Sequence, residues 1–167
     1  MIGGRKRLGN PDGTTFLIDV PIKREVIKYQ GISVKKKPKL WELFPWLSSY
    51  TAQAVYPNIF VSNEVFENLH QPHPNPRFIA VLEHEKKHIE RQKELGVFKF
   101  GLKYLFSPKF RFQEELLAIK EGMRHLRQKG LVFDTERSAR FLSSWLYLWM
   151  VSYEKAKREL DRALEEL

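Results

Sequence analysis

Asn75-Pro76-Arg77-Phe78-Ile79-Ala80-Val81-Leu82-Glu83-His84-Glu85-Lys86-Lys87-His88-Ile89-Glu90-Arg91-Gln92-Lys93-Glu94-Leu95-Gly96 contains the pattern H-E-x-x-H inside a helical signature. Asn75 is a side-chain N-cap, and Pro76 at the first helical position has no N–H to lose. Phe78, Ile79, Val81 and Leu82, continued by Ile89 and Leu95, set apolar groups at helical spacing. Gly96 suits a C-terminal stop. The spacing predicts a helix over 76–95 with one face buried. Residues four apart share a helix face, so His84 and His88 can offer two imidazoles to one metal ion. Glu85 follows the first histidine and can reach a water on that metal. This is the arrangement of a zinc-dependent hydrolase. The plainer reading is two histidines on a solvated, charged helix, given Lys86, Lys87, Glu90 and Arg91 around them.

A hydrolytic zinc site has three protein ligands and an open position for water. Ser107-Pro108 opens a second helix in the manner of Asn75-Pro76, running to about Lys129 and stopping at Gly130. Its early turns read Glu114-Glu115-Leu116-Leu117-Ala118. Over roughly residues 56–126 the chain resembles the gluzincins, and in its small size the prokaryotic minigluzincins. These are zinc peptidases whose third ligand is a glutamate on a helix downstream of H-E-x-x-H, followed three residues later by a small residue. Glu115 with Ala118 fits that register. By the resemblance Glu115 is the third metal ligand, and Glu114 is the runner-up. The resemblance implies one zinc per chain on His84, His88 and Glu115, with Glu85 as general base for peptide-bond hydrolysis. It further implies that a strand before the motif helix, at residues 59–62, lines the cleft and pairs a substrate backbone along its free edge. An ordinary core strand is the other reading of that segment.

The chain departs from the family pattern at Lys86 and Lys87, where uncharged residues are usual, and at Ile119, where many members carry an Asp that orients the first histidine. A cation beside a metal ion is unfavourable unless it reaches solvent. Metal-bound histidines usually give their second nitrogen to a carboxylate, carbonyl or water, and no residue in the sequence identifies itself as that partner for His84 or His88. For a donor that stabilises a developing oxyanion, His125, Tyr147 and Tyr104 have suitable side chains, with ordinary packing as the alternative for each. His70 and His73 fall in the Pro-rich loop ahead of the motif helix.

The 167 residues favour one domain with a substantial core. Cysteine is absent, which excludes disulfides and thiolate metal sites. The basic N-terminus lacks the apolar stretch of a signal peptide, and the longest apolar-rich run, 139–153, is too short to span a bilayer, so the expectation is a cytoplasmic protein. The net charge of +9 can attract nucleic acid or an anionic membrane, but no nucleic-acid motif accompanies it, and a solvated basic surface is the simpler reading.

Residues 1–13, rich in Gly and turn dipeptides, read as a mobile arm, and 14–167 as a single zincin-like domain. Residues 16–20 and 26–29 read as short strands, 39–53 as a helix and 58–62 as the best strand. The segment 97–106 reads as either a helical extension or a hairpin over the cleft. A final helix is expected over 135–166, with Phe141, Trp145, Leu148, Trp149 and Ser152 on one stripe for core packing or homodimer formation. The expected fold is α+β, mostly helical, with a small β-sheet or ribbon before the motif helix. Functionally, the leading expectation is a zinc metallopeptidase acting on a peptide or protein substrate. The alternatives are a weakly active or latent metal-binding scaffold that works through a protein partner, and a basic nucleic-acid-binding protein with an accidental H-E-x-x-H.

Overall fold

The computed structural model describes residues 26–38, 41 and 52–167, and the backbone of strands 4–9 and 15–20. The fold is α+β: a small sheet precedes the main helices. Strand β1 (Gly4–Gly9) pairs antiparallel with β2 (Thr15–Val20), so the stretch read as an arm contains one strand of a two-stranded ribbon. Strands β3 (Val26–Tyr29), β4 (Ile32–Lys36), β5 (Gln53–Val55) and β6 (Asn58–Val61) form the four-stranded sheet, in the order β3-β4-β6-β5. The β3–β4 hairpin turns through Gln30 and Gly31, both at positive φ. A two-residue hairpin needs that conformation to match the strand twist, and glycine adopts it without steric cost. The helix expected over 39–53 lies largely outside the described residues, and Gln53 at its end belongs to β5.

Helix α1 (Asn63–Asn68) is capped by the Ser62 side chain. Helix α2 (Pro76–Leu95) has the predicted bounds: the Asn75 side chain accepts from the Arg77 N–H at 2.9 Å, and Gly96, at φ 83°, ends it. The segment 97–106 is helical, α3 (Val97–Phe106), set off from α2 by that glycine. Ser107 then caps α4 (Pro108–Gln128).

The layers run from the sheet to α2, from α2 to α4, and from α4 to the C-terminal helices. Alternation along the strands turns Val34, Ile59 and Val61 inward, where they pack with Phe66 and with Leu82 and Ile89 of α2. On its other side α2 packs antiparallel against α4, and the closest approach is at Gly122. A Cβ there would lie 3.1 Å from the Ala80 carbonyl oxygen. The far face of α4, with Phe112, Ile119 and Met123, joins Leu142, Ala156 and Leu160 in a second core.

Two expectations are corrected. The single C-terminal helix over 135–166 is instead α5 (Thr135–Leu142), one 3-10 turn (Trp145–Tyr147) and α6 (Tyr153–Glu165). Ser143 and Ser144 give their hydroxyls to the Arg140 and Phe141 carbonyls, Leu148 and Trp149 adopt left-handed backbone, and Ser152 starts a new helix as its cap. Short hydroxyl side chains offer the backbone partners other than the helical ladder, and here three of them act within ten residues. The apolar stripe is thereby broken up: Leu148 and Trp149 are exposed rather than buried. The second correction concerns the substrate edge. Strand β6 has a neighbour on each side, β4 and β5, so residues 59–62 offer no free edge. They are core strand, and β5 is the sheet edge that faces α2.

Candidate metal centre

Helical periodicity brings His84 and His88 over one another on α2, and the antiparallel α2–α4 packing sets Glu115 opposite them. The two Nε2 atoms are 3.2 Å apart. His88 Nε2 is 3.2 Å from Glu115 Oε1, and His84 Nε2 is 3.5 Å from Glu115 Oε2. A tetrahedral ion with bonds of about 2.0–2.1 Å requires its ligand atoms to be about 3.3–3.4 Å apart. The two distances run to different oxygens of Glu115; taking one ligand atom from each side chain, all three lie within 4.8 Å of one another, and this group could hold a metal ion. His88 and Glu115 are buried, and His84 keeps 19% of its side-chain surface exposed.

Glu114 points elsewhere. Its carboxylate takes two hydrogen bonds from the Arg91 guanidinium, each at 2.9 Å, in a bidentate pair that raises the Arg91 pKa. One residue of helix rotation, about 100°, thus separates a structural ion pair from a metal ligand set. The lysines are also accounted for. Lys86 reaches Gln30 at 2.6 Å and Glu83 at 3.6 Å, and Lys87 reaches Glu90 at 3.3 Å. Carboxylates compensate both charges away from the histidines. Ile119 is a core residue.

The electrostatics suit a cation. Burial lowers His84 to about 4, against the pull of Glu115, so its imidazole is neutral at pH 7. Burial also acts to lower His88, but the Glu115 carboxylate outweighs it and leaves His88 raised. For Glu115 itself, burial favours the neutral acid, yet the two histidines and the Tyr104 hydroxyl bring it down to about 2. Without a metal, Glu115 and His88 each favour the charged form of the other, and a cation bound there would take over the part of the His88 proton. Burial raises Glu85 to about 7, offset in part by His88 and by a hydrogen bond from the Ala54 backbone.

Several supporting residues escaped the sequence. The Tyr104 hydroxyl donates to Glu115 Oε1, and that of Tyr147 donates to Oε2 at 3.2 Å. Two of the three side chains considered as oxyanion donors are therefore at the site, but each spends its one hydrogen on Glu115. The third, His125, lies ten residues farther along α4, about 15 Å up the helix axis. Buried Arg111 donates to the carbonyls of Tyr104, Leu105 and Tyr147 at 2.8, 2.7 and 2.9 Å. One guanidinium thus ties together the two segments that carry the tyrosines. Gln92 is buried and spans the edge of β5, accepting from the Tyr56 N–H at 2.9 Å and donating to the Ala54 carbonyl at 2.8 Å. A side chain of α2 thus occupies that strand edge. His88 Nδ1 is buried and has no hydrogen-bond partner among the described residues. His70 bonds the Phe66 carbonyl at 3.0 Å, and it and His73 are exposed in the loop before α2. Only the distance between α2 and α4 had a sequence signal, in Ala118 and the unremarked Gly122.

No protein-family model matches this chain, and comparison with curated proteins and with solved structures finds no significant match.

Proposed function

We propose that the chain is a zinc-dependent metallopeptidase of the gluzincin type. The observation that carries this reading is the convergence of His84, His88 and Glu115, with one ligand atom from each within 4.8 Å of the others, directly beside Glu85. Two imidazole nitrogens and one carboxylate oxygen form a donor set suited to zinc, and they leave a fourth position for water. Zinc bound there supplies Lewis acidity that brings the water's pKa toward neutrality.

The protein's own groups do the rest. With a metal held by His84, His88 and Glu115, the Glu85 carboxyl, raised by burial to about 7, would serve as the general base that accepts a proton from the attacking water and returns it to the leaving amine. Tyr104 and Tyr147 fix both oxygens of Glu115, which restricts how that side chain can meet the ion. Arg111 keeps the two tyrosine-bearing segments in register.

The test is metal analysis together with hydrolysis of a denatured protein. Protein purified without chelator is expected to hold about one zinc per chain, and His88→Ala to lose it. Glu85→Gln is expected to retain zinc while peptide hydrolysis falls by about 10²–10⁴-fold. Failure to take up zinc ends the reading.

The burial of Glu85, His88 and Glu115 favours a second reading, a latent form of the same site. Among the described residues, Tyr104 of α3 and Tyr147 of the 3-10 turn both bond Glu115 and so close over that side of the group. Under this reading wild type and Glu85→Gln both bind zinc and neither cleaves, whereas Tyr104→Phe and Tyr147→Phe loosen the cover and release activity.

A further inference from the structure

Helix α3 is apolar on two opposite sides. Phe100 is buried, and Tyr104, one turn on, reaches inward to Glu115. Phe98, Leu102, Leu105 and Phe106 are on the opposite side and face solvent, with Phe98 79% and Phe106 75% exposed. A helix that is hydrophobic around its circumference is normally buried, and this one is not.

The patch continues beyond the helix. Arg111 bonds the carbonyls of Leu105 and Tyr147 with two nitrogens of one guanidinium, so the end of α3 and the turn after α5 run side by side. Leu148 and Trp149 follow Tyr147 directly. Both have left-handed backbone, which side chains other than glycine adopt at a cost, and Trp149 is 72% exposed. The turn therefore keeps a large apolar side chain in solvent at a conformational cost, two residues from the point where Arg111 ties it to the end of α3. Contiguous apolar surface of this kind marks an interaction site.

Within the segments that form it, the charge has one sign. Residues 96–113 contain no Asp or Glu, and neither do residues 137–153. Lys99 and Lys103 border the apolar face of α3 at the next helical positions, and Lys109 follows on α4; all three are exposed. Protruding aromatic and leucine side chains flanked by lysines combine apolar insertion with attraction to anionic headgroups. A second copy of the chain fits less well. A symmetric pairing of this patch sets the lysines against their own copies, on a chain of net charge +9. The high exposure of Phe98, Phe106 and Trp149 describes protrusions that enter a soft medium rather than the walls of a groove that receives a partner helix.

We infer that α3 and the Leu148–Trp149 turn dock this protein onto an anionic lipid bilayer, as a surface-bound rather than a membrane-spanning attachment. The inference does not depend on the metal site, although the same two segments cover it. The test uses the full chain with vesicles of phosphatidylcholine mixed with phosphatidylglycerol, and with vesicles of phosphatidylcholine alone. Co-sedimentation is read together with the blue shift of tryptophan emission. Binding to the mixed vesicles is expected, with weaker binding to the neutral ones. Lys99→Gln with Lys103→Gln should lose about fivefold in affinity per lysine. Phe98→Ser and Phe106→Ser should each lose about tenfold or more. All four positions are exposed, and unchanged circular dichroism verifies that the variants fold. Equal binding to both vesicle types, no binding to either, or variants that bind like the wild type overturns the inference. So does a concentration-dependent dimer, seen by sedimentation velocity, that the Phe98→Ser and Phe106→Ser changes abolish while vesicles go unbound.

Discussion

Gly122 controls the spacing between the two helices that carry the metal-ligand set. A Cβ at that position would sit 3.1 Å from the Ala80 carbonyl oxygen, and ordinary contact begins about 0.3 Å farther out. Ala80 is one turn before His84, and Gly122 is two turns after Glu115, so the displacement acts on the same pair of helices within about 11 Å of the ligands. Metal–ligand distances tolerate about 0.2 Å. Gly122→Ala is therefore expected to move α4 away from α2 by slightly more than the ligand set tolerates, and Gly122→Val by more. Two opposing terms act on stability. Alanine in place of glycine in a helix interior gains about 0.5–1 kcal/mol, while overpacking of a tight contact costs about 1–3 kcal/mol. The net for Gly122→Ala is a small loss of up to about 2 kcal/mol, with a larger loss for Gly122→Val. Zinc affinity should fall by about 10–100-fold in Gly122→Ala, the range found when support around metal ligands is disturbed. The assay is competition with a chromophoric chelator, paired with thermal unfolding. Ala163→Val in the other core is the control; it should lower stability and leave zinc affinity unchanged. A Gly122→Val protein that folds and binds zinc as tightly as wild type refutes the idea that this contact sets the ligand geometry.

Glu114→Gln is expected to destabilise the fold by about 1–3 kcal/mol by breaking the bidentate Arg91 pair, while zinc stoichiometry holds at about one; Glu115→Gln should lose the zinc, and equal metal content in the two variants would refute this division of roles. Arg111→Lys cannot reach three carbonyls with one planar fork, so a loss of about 2 kcal/mol or more is expected in chemical denaturation, and a change under about 0.5 kcal/mol would show that the α3 end and the 3-10 turn hold together without it. Leu148→Asn should raise stability by up to about 1 kcal/mol, because Asn tolerates left-handed backbone and Leu148 is largely exposed; a loss of stability would mean that its side chain packs more than its exposure suggests. Lys120→Ala removes an exposed pair with Glu166 and should change stability by less than about 1 kcal/mol in the same assay.

The sequence by itself determined the bounds of α2 and α4 and that His84 and His88 share one helix face. Those features are written locally: Asn75-Pro76 and Ser107-Pro108 are caps whose side chains bond N–H groups two or three residues away, and the ligand register follows from a helical repeat of fixed angle. His84 and His88 on one face followed from that angle; Glu115 rather than Glu114 came only from the resemblance to the gluzincin pattern, through the small residue at Ala118. The tertiary structure alone decided what surrounds the group. Tyr104 and Tyr147 are 11 and 32 residues from Glu115 in sequence and meet it only because α3 folds back and the C-terminal helix breaks. That break was illegible because the apolar stripe through Phe141 and Trp145 keeps helical spacing across it. Competing hydroxyl bonds from Ser143 and Ser144, together with the pull of Arg111 on the Tyr147 carbonyl, outweigh that local preference. The order of the sheet was hidden for the same reason. The β4–β6 pairing is parallel and non-consecutive, so no turn between adjacent segments announces it, and long-range contacts alone make β6 an interior strand and leave β5 at the edge against α2.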